Sequence, residues 1–228
     1  NNVGGTETLL RVMQNHRVEN FVFSSSCTVY GQPEVIPVDE QAPFLPAESP
    51  YGQTKQDCER LISDAGINSA ILRYFNPIGA HPSATIGELP IGIPNNLIPY
   101  LCQTVAGLRN ELTVFGNDYP TNDGSCIRDY LHVCDLADAH VAALDKMPKG
   151  VRAFNLGTGS GTSVLEIISE FEKATGEIVP HKIGERREGD IIAIWANPSR
   201  ALEELGWSAK RGVGESLADA WRWQQSLA

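Results

Sequence analysis

Asn20-Phe21-Val22-Phe23-Ser24, Ser49-Pro50-Tyr51-Gly52-Gln53-Thr54-Lys55 and Ser69-Ala70-Ile71-Leu72-Arg73-Tyr74-Phe75 follow one another as an apolar run, a helix opening and a second apolar run. Short continuous apolar runs bounded by turn residues read as strands buried on both faces. Pro50 suits the first helical position and Ser49 before it suits the N-cap, so a helix is predicted over 50–65, with Gly66 at its C-cap. Asn76-Pro77 is expected to stop the second strand. Upstream, residues 3–17 read as a helix with Leu9, Val12 and Met13 on its apolar stripe. Helix, strand, helix, strand is the signature of an α/β fold, a parallel sheet wound with helices.

Further along, Pro, Gly and Asn dominate from Pro77 to Asn96, and periodicity fades there. Leu97–Leu108 reads as a helix, Glu111–Phe115 as a strand, Val133–Met147 as a helix and Ala153–Leu156 as a strand. Val164–Thr175 is an amphipathic helix, and two more helices are expected around Pro198–Leu205 and Glu215–Gln225. The expected architecture is a partial Rossmann-like, doubly wound parallel sheet with a smaller mixed α/β substrate lobe. Residues 1–76 would belong to the sheet domain, with 133–157 returning to it; 77–132 and 158–228 would form the lobe. Gly157-x-Gly159-x-Gly161 has the wrong spacing for a dinucleotide cradle and reads as a strand-to-helix turn. The chain opens inside a helix, so the expectation is that an amino-terminal portion of roughly a hundred residues, with the strands and the glycine-rich turn, is missing from it.

The 228 residues are 42% hydrophobic and 20% charged, ordinary for a globular protein. Net charge is −10 and no basic stripe is present, which argues against nucleic acid as a partner. No apolar run is long enough to span a bilayer, so no membrane partner is expected either. Cys27, Cys58, Cys102, Cys126 and Cys134 are scattered, with no C-x-x-C, which fits a reducing, cytoplasmic compartment. Cys126, His132 and Cys134 match no zinc spacing, so no metal is expected.

Tyr51 and Lys55 lie at i and i+4, on one face of the predicted helix. A cation beside a phenol favours phenolate and makes it a usable base near neutral pH. The plainer reading is an exposed Tyr and Lys on an ordinary helix. The surrounding motifs decide between the two. They are Phe23-Ser24-Ser25-Ser26-Cys27-Thr28-Val29-Tyr30-Gly31, the Ser49–Lys55 segment, Leu72-Arg73-Tyr74-Phe75-Asn76-Pro77-Ile78-Gly79-Ala80-His81-Pro82, Gly92-Ile93-Pro94-Asn95-Asn96-Leu97, Phe115-Gly116-Asn117-Asp118-Tyr119-Pro120-Thr121 with Asp123-Gly124, Arg128-Asp129-Tyr130, and Arg186-Arg187-Glu188-Gly189-Asp190. In this order, over the whole chain, they resemble the extended short-chain dehydrogenase/reductase superfamily. Within it they are similar to the UDP-hexose 4-epimerases.

The resemblance implies an NAD-dependent isomerase of galactose metabolism that interconverts UDP-glucose and UDP-galactose by oxidation and re-reduction at C4 of the hexose. It implies Tyr51 as base for the C4 hydroxyl, Lys55 as holder of the nicotinamide ribose and Ser26 as donor or relay to the same hydroxyl. Asn1 and Phe75 fall at positions near the cofactor, although Phe75 could equally be core. For the UDP-hexose, Asn76, Asn96 and the Leu97 backbone match positions near diphosphate and sugar. Thr113 and Phe115 match the strand bordering uracil, Arg128 and Arg187 the diphosphate clamp, and Asp190 a ribose-contacting acid. Ile194 stands where bacterial relatives often carry tyrosine and some animal ones cysteine, bordering the sugar's C2 substituent; an isoleucine is smaller than tyrosine, which raises the possibility of N-acetylated substrates. A homodimer is implied, with Cys58, Leu61 and Ile62 either at that contact or packed on their own sheet. A 4,6-dehydratase or decarboxylase is the rival enzyme; Cys27 and Thr28 occupy the places where its extra carboxylates would stand. A catalytically inactive fragment is the other alternative.

Overall fold

The structure is a computed structural model that describes residues 1–187 and 189–227. In chain order its elements are α1 (Asn2–Asn15), β1 (Asn20–Ser26), a 3-10 turn (Cys27–Tyr30), α2 (Pro50–Asp64), β2 (Asn68–Tyr74), β3 (Asn76–Ile78), α3 (Leu97–Val105), β4 (Leu112–Phe115), β5 (Ile127–Arg128), β6 (Tyr130–His132), α4 (Val133–Asp145), β7 (Val151–Leu156), β8 (Thr162–Ser163), α5 (Val164–Thr175), β9 (His181–Gly184), β10 (Ala193–Ile194), a π-helical turn (Ala201–Leu205) and α6 (Val213–Ser226). The chain divides into two compact units. The first comprises Asn1–Phe75, Ala137–Gly159 and Ile194–Ser208; the second comprises Asn76–Leu136, Ser160–Ala193 and Ala209–Ala228. Ile194–Ser208 thus lies in the first unit, whereas the sequence division assigns it to the lobe. Among the described residues no helix is long and apolar enough to cross a membrane.

The first unit is built on a parallel sheet of order β1-β2-β7. Phe23 pairs with Ile71, and Ile71 with Ala153. Leu10, Ile62 and Ile71 form its buried cluster, with Phe21, Phe23, Leu61 and Val151 packed around them. Helix α1 buries Thr6, Leu10 and Met13, not the expected Leu9 and Val12, which are exposed. The packing partner decides this. Thr6 Oγ1 donates to Cys58 Sγ at 3.3 Å, and that contact fixes the rotation of α1 against α2. Leu9 and Val12 then lie about 100° round the helix. Cys58 and Ile62 are fully buried within their own unit, which settles the open reading of that face in favour of sheet packing. At the end of α2 the cap residue is Ala65, and Gly66 follows it with φ of 69°, so the glycine stands one place beyond the position read from sequence.

The second unit contains the parallel pairs β3–β6 and β4–β9 and the antiparallel pair β5–β8. Pro77 does not end extended structure. It sits inside β3, opposite Leu131, while the neighbouring Asn76 N–H donates to Asp129 O at 2.9 Å. Alternate residues face the ladder, so the missing N–H of Pro77 costs no bond. Helix α3 ends at Val105, three residues short of the sequence expectation, in a Schellman motif: Leu108 N–H donates to Gln103 O, and Gly107, at φ of 74°, to Thr104 O. Helix α5 starts on a full capping box between Ser163 and Glu166 and stops at left-handed Gly176. Its buried face, Ile167, Ile168 and Phe171, joins Leu101, Val114, Tyr130 and Leu217 in the core. Phe171 meets Trp221 of α6 edge-on, with centroids 5.9 Å apart.

Candidate active site

In the first unit, the start of α2 places the reacting candidates. Ser49 Oγ accepts from Gly52 N–H at 3.1 Å, and Pro50 occupies the first turn. Gly52 lets α2 approach the 3-10 turn closely: a Cβ there would stand 3.0 Å from Thr28 O, so a side chain would have to shift that contact by a few tenths of an ångström. Lys55 Nζ donates to Ser24 O at 2.7 Å and lies 5.5 Å from the Tyr51 ring centroid and 4.8 Å from that of Phe23. Ser26, at the end of β1, accepts from Thr28 N–H at 3.2 Å as cap of the 3-10 turn and lies near enough to Tyr51 to pull its phenol down. Tyr51 is 45% exposed, whereas Ser26 is buried.

The electrostatics differ from the sequence expectation of a phenol acidified by lysine. Burial pushes the Tyr51 phenol up, Tyr74 and Cys27 add to the rise, and only Ser26 pulls it down. Burial likewise lowers Lys55. The physical reason is placement: the ammonium is directed at the Ser24 carbonyl and stands over the ring. A lysine ammonium has three donors and one is on Ser24 O, which leaves two for the hydroxyls of a ribose. That donor set fits a dinucleotide. Asn1 is exposed at the N-cap of α1, with no side-chain capping bond. Phe75 is a core residue, 3% exposed, its N–H donating to Leu156 O at 3.1 Å. Ile194 is fully buried. Among the described residues no cluster of three or more His, Cys, Asp or Glu could hold a metal ion.

In the second unit a cavity of about 450 Å³ is lined by all eight sequence candidates for substrate binding: Asn76, Asn96, Leu97, Thr113, Phe115, Arg128, Arg187 and Asp190. Its size is ordinary for a small-molecule site. Arg187 donates to Asp190 Oδ1 at 2.6 and 3.2 Å, and its guanidinium carbon stands 5.6 Å from the Phe115 ring centroid. Arg128 donates to Ile127 O at 2.9 Å and approaches Asp190 at 3.9 Å. Two guanidinium groups share one carboxylate, so this corner carries surplus positive charge and unsatisfied donors suited to phosphate oxygens. Thr113 and Phe115 are presented by β4, held in register by β9. Asn96 is the N-cap of α3 but makes no capping bond with its side chain; its amide donates instead to Glu88 at 2.8 Å. Glu188 of the Arg186–Asp190 motif lies outside the described residues. Sequence reasoning missed Glu88, Tyr100 and Tyr130, which also line the cavity. Tyr130 stands inside a quoted motif and could have been found; nothing in the sequence singles out Glu88 or Tyr100.

Comparison with known proteins fits this geometry. Residues 1–157 match the NAD dependent epimerase/dehydratase family. The chain is 53% identical over 233 residues to the UDP-glucose 4-epimerase of Bacillus subtilis, covering 99% of itself and 68% of that relative. It is 52% identical over 231 residues to the UDP-glucose 4-epimerase of Homo sapiens, covering 98% and 66%. Its fold superposes with a TM-score of 0.96, at 49% identity, on the UDP-glucose-4-epimerase of Stenotrophomonas maltophila crystallised with NAD and formylated UDP-arabinopyranose, covering 99% of this chain and 69% of the other. The Bifidobacterium longum enzyme, crystallised with NAD+ and UDP, gives a TM-score of 0.95 at 45% identity, covering 99% and 69%. The chain therefore spans about two thirds of the length of these relatives, and it belongs to the NAD dependent epimerase/dehydratase family, among the UDP-glucose 4-epimerases.

Proposed function

We propose that this chain carries out the NAD-dependent interconversion of UDP-glucose and UDP-galactose at C4 of the hexose. The observation that carries the chemistry is Tyr51 in the first turn of α2 with Lys55 one turn on, its ammonium 5.5 Å from the phenol ring centroid, and Ser26 at the neighbouring end of β1. NAD, when bound, supplies the hydride acceptor and donor at C4. Tyr51 Oη takes the proton of the C4 hydroxyl, and Ser26, at the end of β1, donates to or relays from the same hydroxyl. Lys55 holds the nicotinamide ribose through its remaining donors and keeps positive charge beside the phenol. Burial raises the Tyr51 phenol, so its use as a base depends on that charge and on the positive ring of the oxidised cofactor. Asn1 and the main chain passing at Phe75 contribute to the cofactor contact.

For the nucleotide, Arg128 and Arg187 hold the diphosphate, and Asp190 orients Arg187 and accepts from the ribose. Thr113 and Phe115 border the uracil, and Asn76, Asn96 and the Leu97 N–H bind between diphosphate and sugar. Anchoring the UDP leaves the hexose free to turn and offer either face at C4. The enzyme acts as a homodimer, with the exposed Leu9 and Val12 of α1 as the apolar contact. It works in the cytoplasm, which agrees with five cysteines that form no disulfide. Residues 1–75, 137–159 and 194–208 serve the cofactor, and the second unit serves the nucleotide sugar. An assay of UDP-galactose with added NAD, read by UDP-glucose formation, tests this; no product would overturn it. A parallel arm with UDP-N-acetylglucosamine tests whether N-acetylated substrates are accepted, and complete refusal would remove that part.

A further inference from the structure

Ser24, Ser25 and Ser26 close β1, and the chemistry at C4 uses only the last of them. Successive side chains of a strand point to opposite faces of the sheet. Ser25 accordingly donates to Glu59 of α2, and Ser24 meets α4, where its Oγ lies 2.9 Å from His140 Nε2. The imidazole accepts from that hydroxyl or donates to it according to its tautomer. The helix itself turns His140 inward: Leu136, Ala139 and Ala143 are buried, and residue 140 lies on the same stripe of α4.

The main chain of Ser24 has a second partner. Its carbonyl oxygen accepts from Lys55 Nζ at 2.7 Å. Ser24 is thus held twice, its side chain by α4 and its main chain by α2. A lysine ammonium rides on a flexible four-carbon stem, so a fixed acceptor decides where the charge stands. Here that acceptor places it 5.5 Å from the Tyr51 ring centroid and 4.8 Å from that of Phe23. The Ser24 Cα joins the two arms, so a shift of the carbonyl oxygen also has to stretch the Oγ–Nε2 contact.

We propose that His140 is a positioning residue: through Ser24 it fixes the acceptor of Lys55, and so the place of the ammonium beside the Tyr51 phenol. The inference rests on the reading of Lys55 as the holder of the nicotinamide ribose, and extends that site from α2 to α4. The consecutive serines then divide the work. Ser26 faces the reacting hydroxyl, Ser25 ties β1 to the buried Arg73–Glu59 pair, and Ser24 joins Lys55 to His140.

The test compares Ser24→Ala, His140→Leu and His140→Gln, whose side-chain amide can replace the Nε2 contact. The first readout needs neither cofactor nor substrate: the proton–nitrogen NMR signal of the Lys55 ammonium, assigned by its loss in Lys55→Met. Its exchange with water is expected to be about tenfold faster in Ser24→Ala and His140→Leu, and within about threefold of wild type in His140→Gln. The second readout is turnover of UDP-galactose with NAD. kcat should fall about tenfold in Ser24→Ala and in His140→Leu with UDP affinity unchanged, and His140→Gln should restore it to within about threefold. The double variant should lie within about twofold of either single one, because both substitutions break one contact. Unchanged ammonium exchange, additive losses in the double variant, an equal loss of UDP affinity, or a His140→Gln as impaired as His140→Leu would each overturn the proposal. If His140→Leu does not fold, Ser24→Ala, which removes a single oxygen, decides by the same readouts. A wild-type chain that turns over no UDP-galactose, yet whose Lys55 exchange responds to both substitutions, would sink the epimerase reading and leave the positioning contact standing.

Discussion

The molecule holds two arginine–carboxylate clusters with the same chemistry and different environments. In the first unit Arg73 makes a bidentate pair with Glu59, at 2.7 Å for the nearest contact, and both are buried. Every partner is protein: Ser25 donates to Glu59, Arg73 also donates to Tyr30 at 2.9 Å and to Glu40 O at 3.3 Å, and Tyr30 donates to Asn155 at 2.6 Å. In the second unit Arg187 pairs with Asp190 at 2.6 Å, but the Arg187 side chain is 58% exposed and faces a cavity. A saturated, buried ion pair specifies packing, and a half-satisfied one at a cavity wall is available to a ligand. Residue type alone cannot separate the two cases; burial and the count of unmet donors can.

The largest expected effect breaks the buried cluster. Glu59→Ala leaves Arg73 charged and unpaired in the interior and should cost about 3–5 kcal/mol of unfolding free energy, read from the urea midpoint. A loss under 1 kcal/mol would mean that the cluster is not the structural member of the comparison. Next in size is Arg187→Ala, which should weaken UDP binding by about 2 kcal/mol, or roughly thirtyfold, while stability moves by no more than about 0.5 kcal/mol. Titration calorimetry and thermal unfolding of the same sample read both numbers; reversed effects would exchange the two roles.

The smallest effect sharpens the first cluster by pH. Burial holds the Tyr30 phenol up at about 12, above its unfolded value near 10. Stability from the neutral phenol is then fully present below pH 10 and is lost as pH rises toward 12. By pH 11 wild type should lose about 1 kcal/mol more than Tyr30→Phe, relative to pH 9. Parallel stability curves would contradict this.

How much of this was legible in the sequence depended on where the determining contacts lie. Helix α5 could be placed to the residue because period, capping box and terminal glycine are all local. The strands β5, β6, β8 and β9 were invisible: each has two to four residues, and their partners lie between 34 and 69 positions away along the chain for β5–β8 and β4–β9. The wrong stripe on α1 has the same origin, since only the Thr6–Cys58 contact shows which face turns inward. Motif order singled out Tyr51, Lys55 and Ser26 but could not give the direction of the Tyr51 shift, which is set by burial. The eight cavity residues were named from family motifs spread from Asn76 to Asp190, and only the fold shows that one cavity gathers them. Glu88 escaped because its place in the cavity wall depends on a side-chain contact with Asn96, eight residues on, and on Trp223, 135 residues away.

The most direct test of the central claim, that Tyr51 is the base for the C4 hydroxyl, is the turnover of UDP-galactose by Tyr51→Phe beside its UDP affinity. The expected result is a fall in kcat of at least about a thousandfold with UDP binding unchanged, because the substitution removes the proton acceptor and leaves the nucleotide cavity intact. Turnover within a few fold of wild type would contradict the claim.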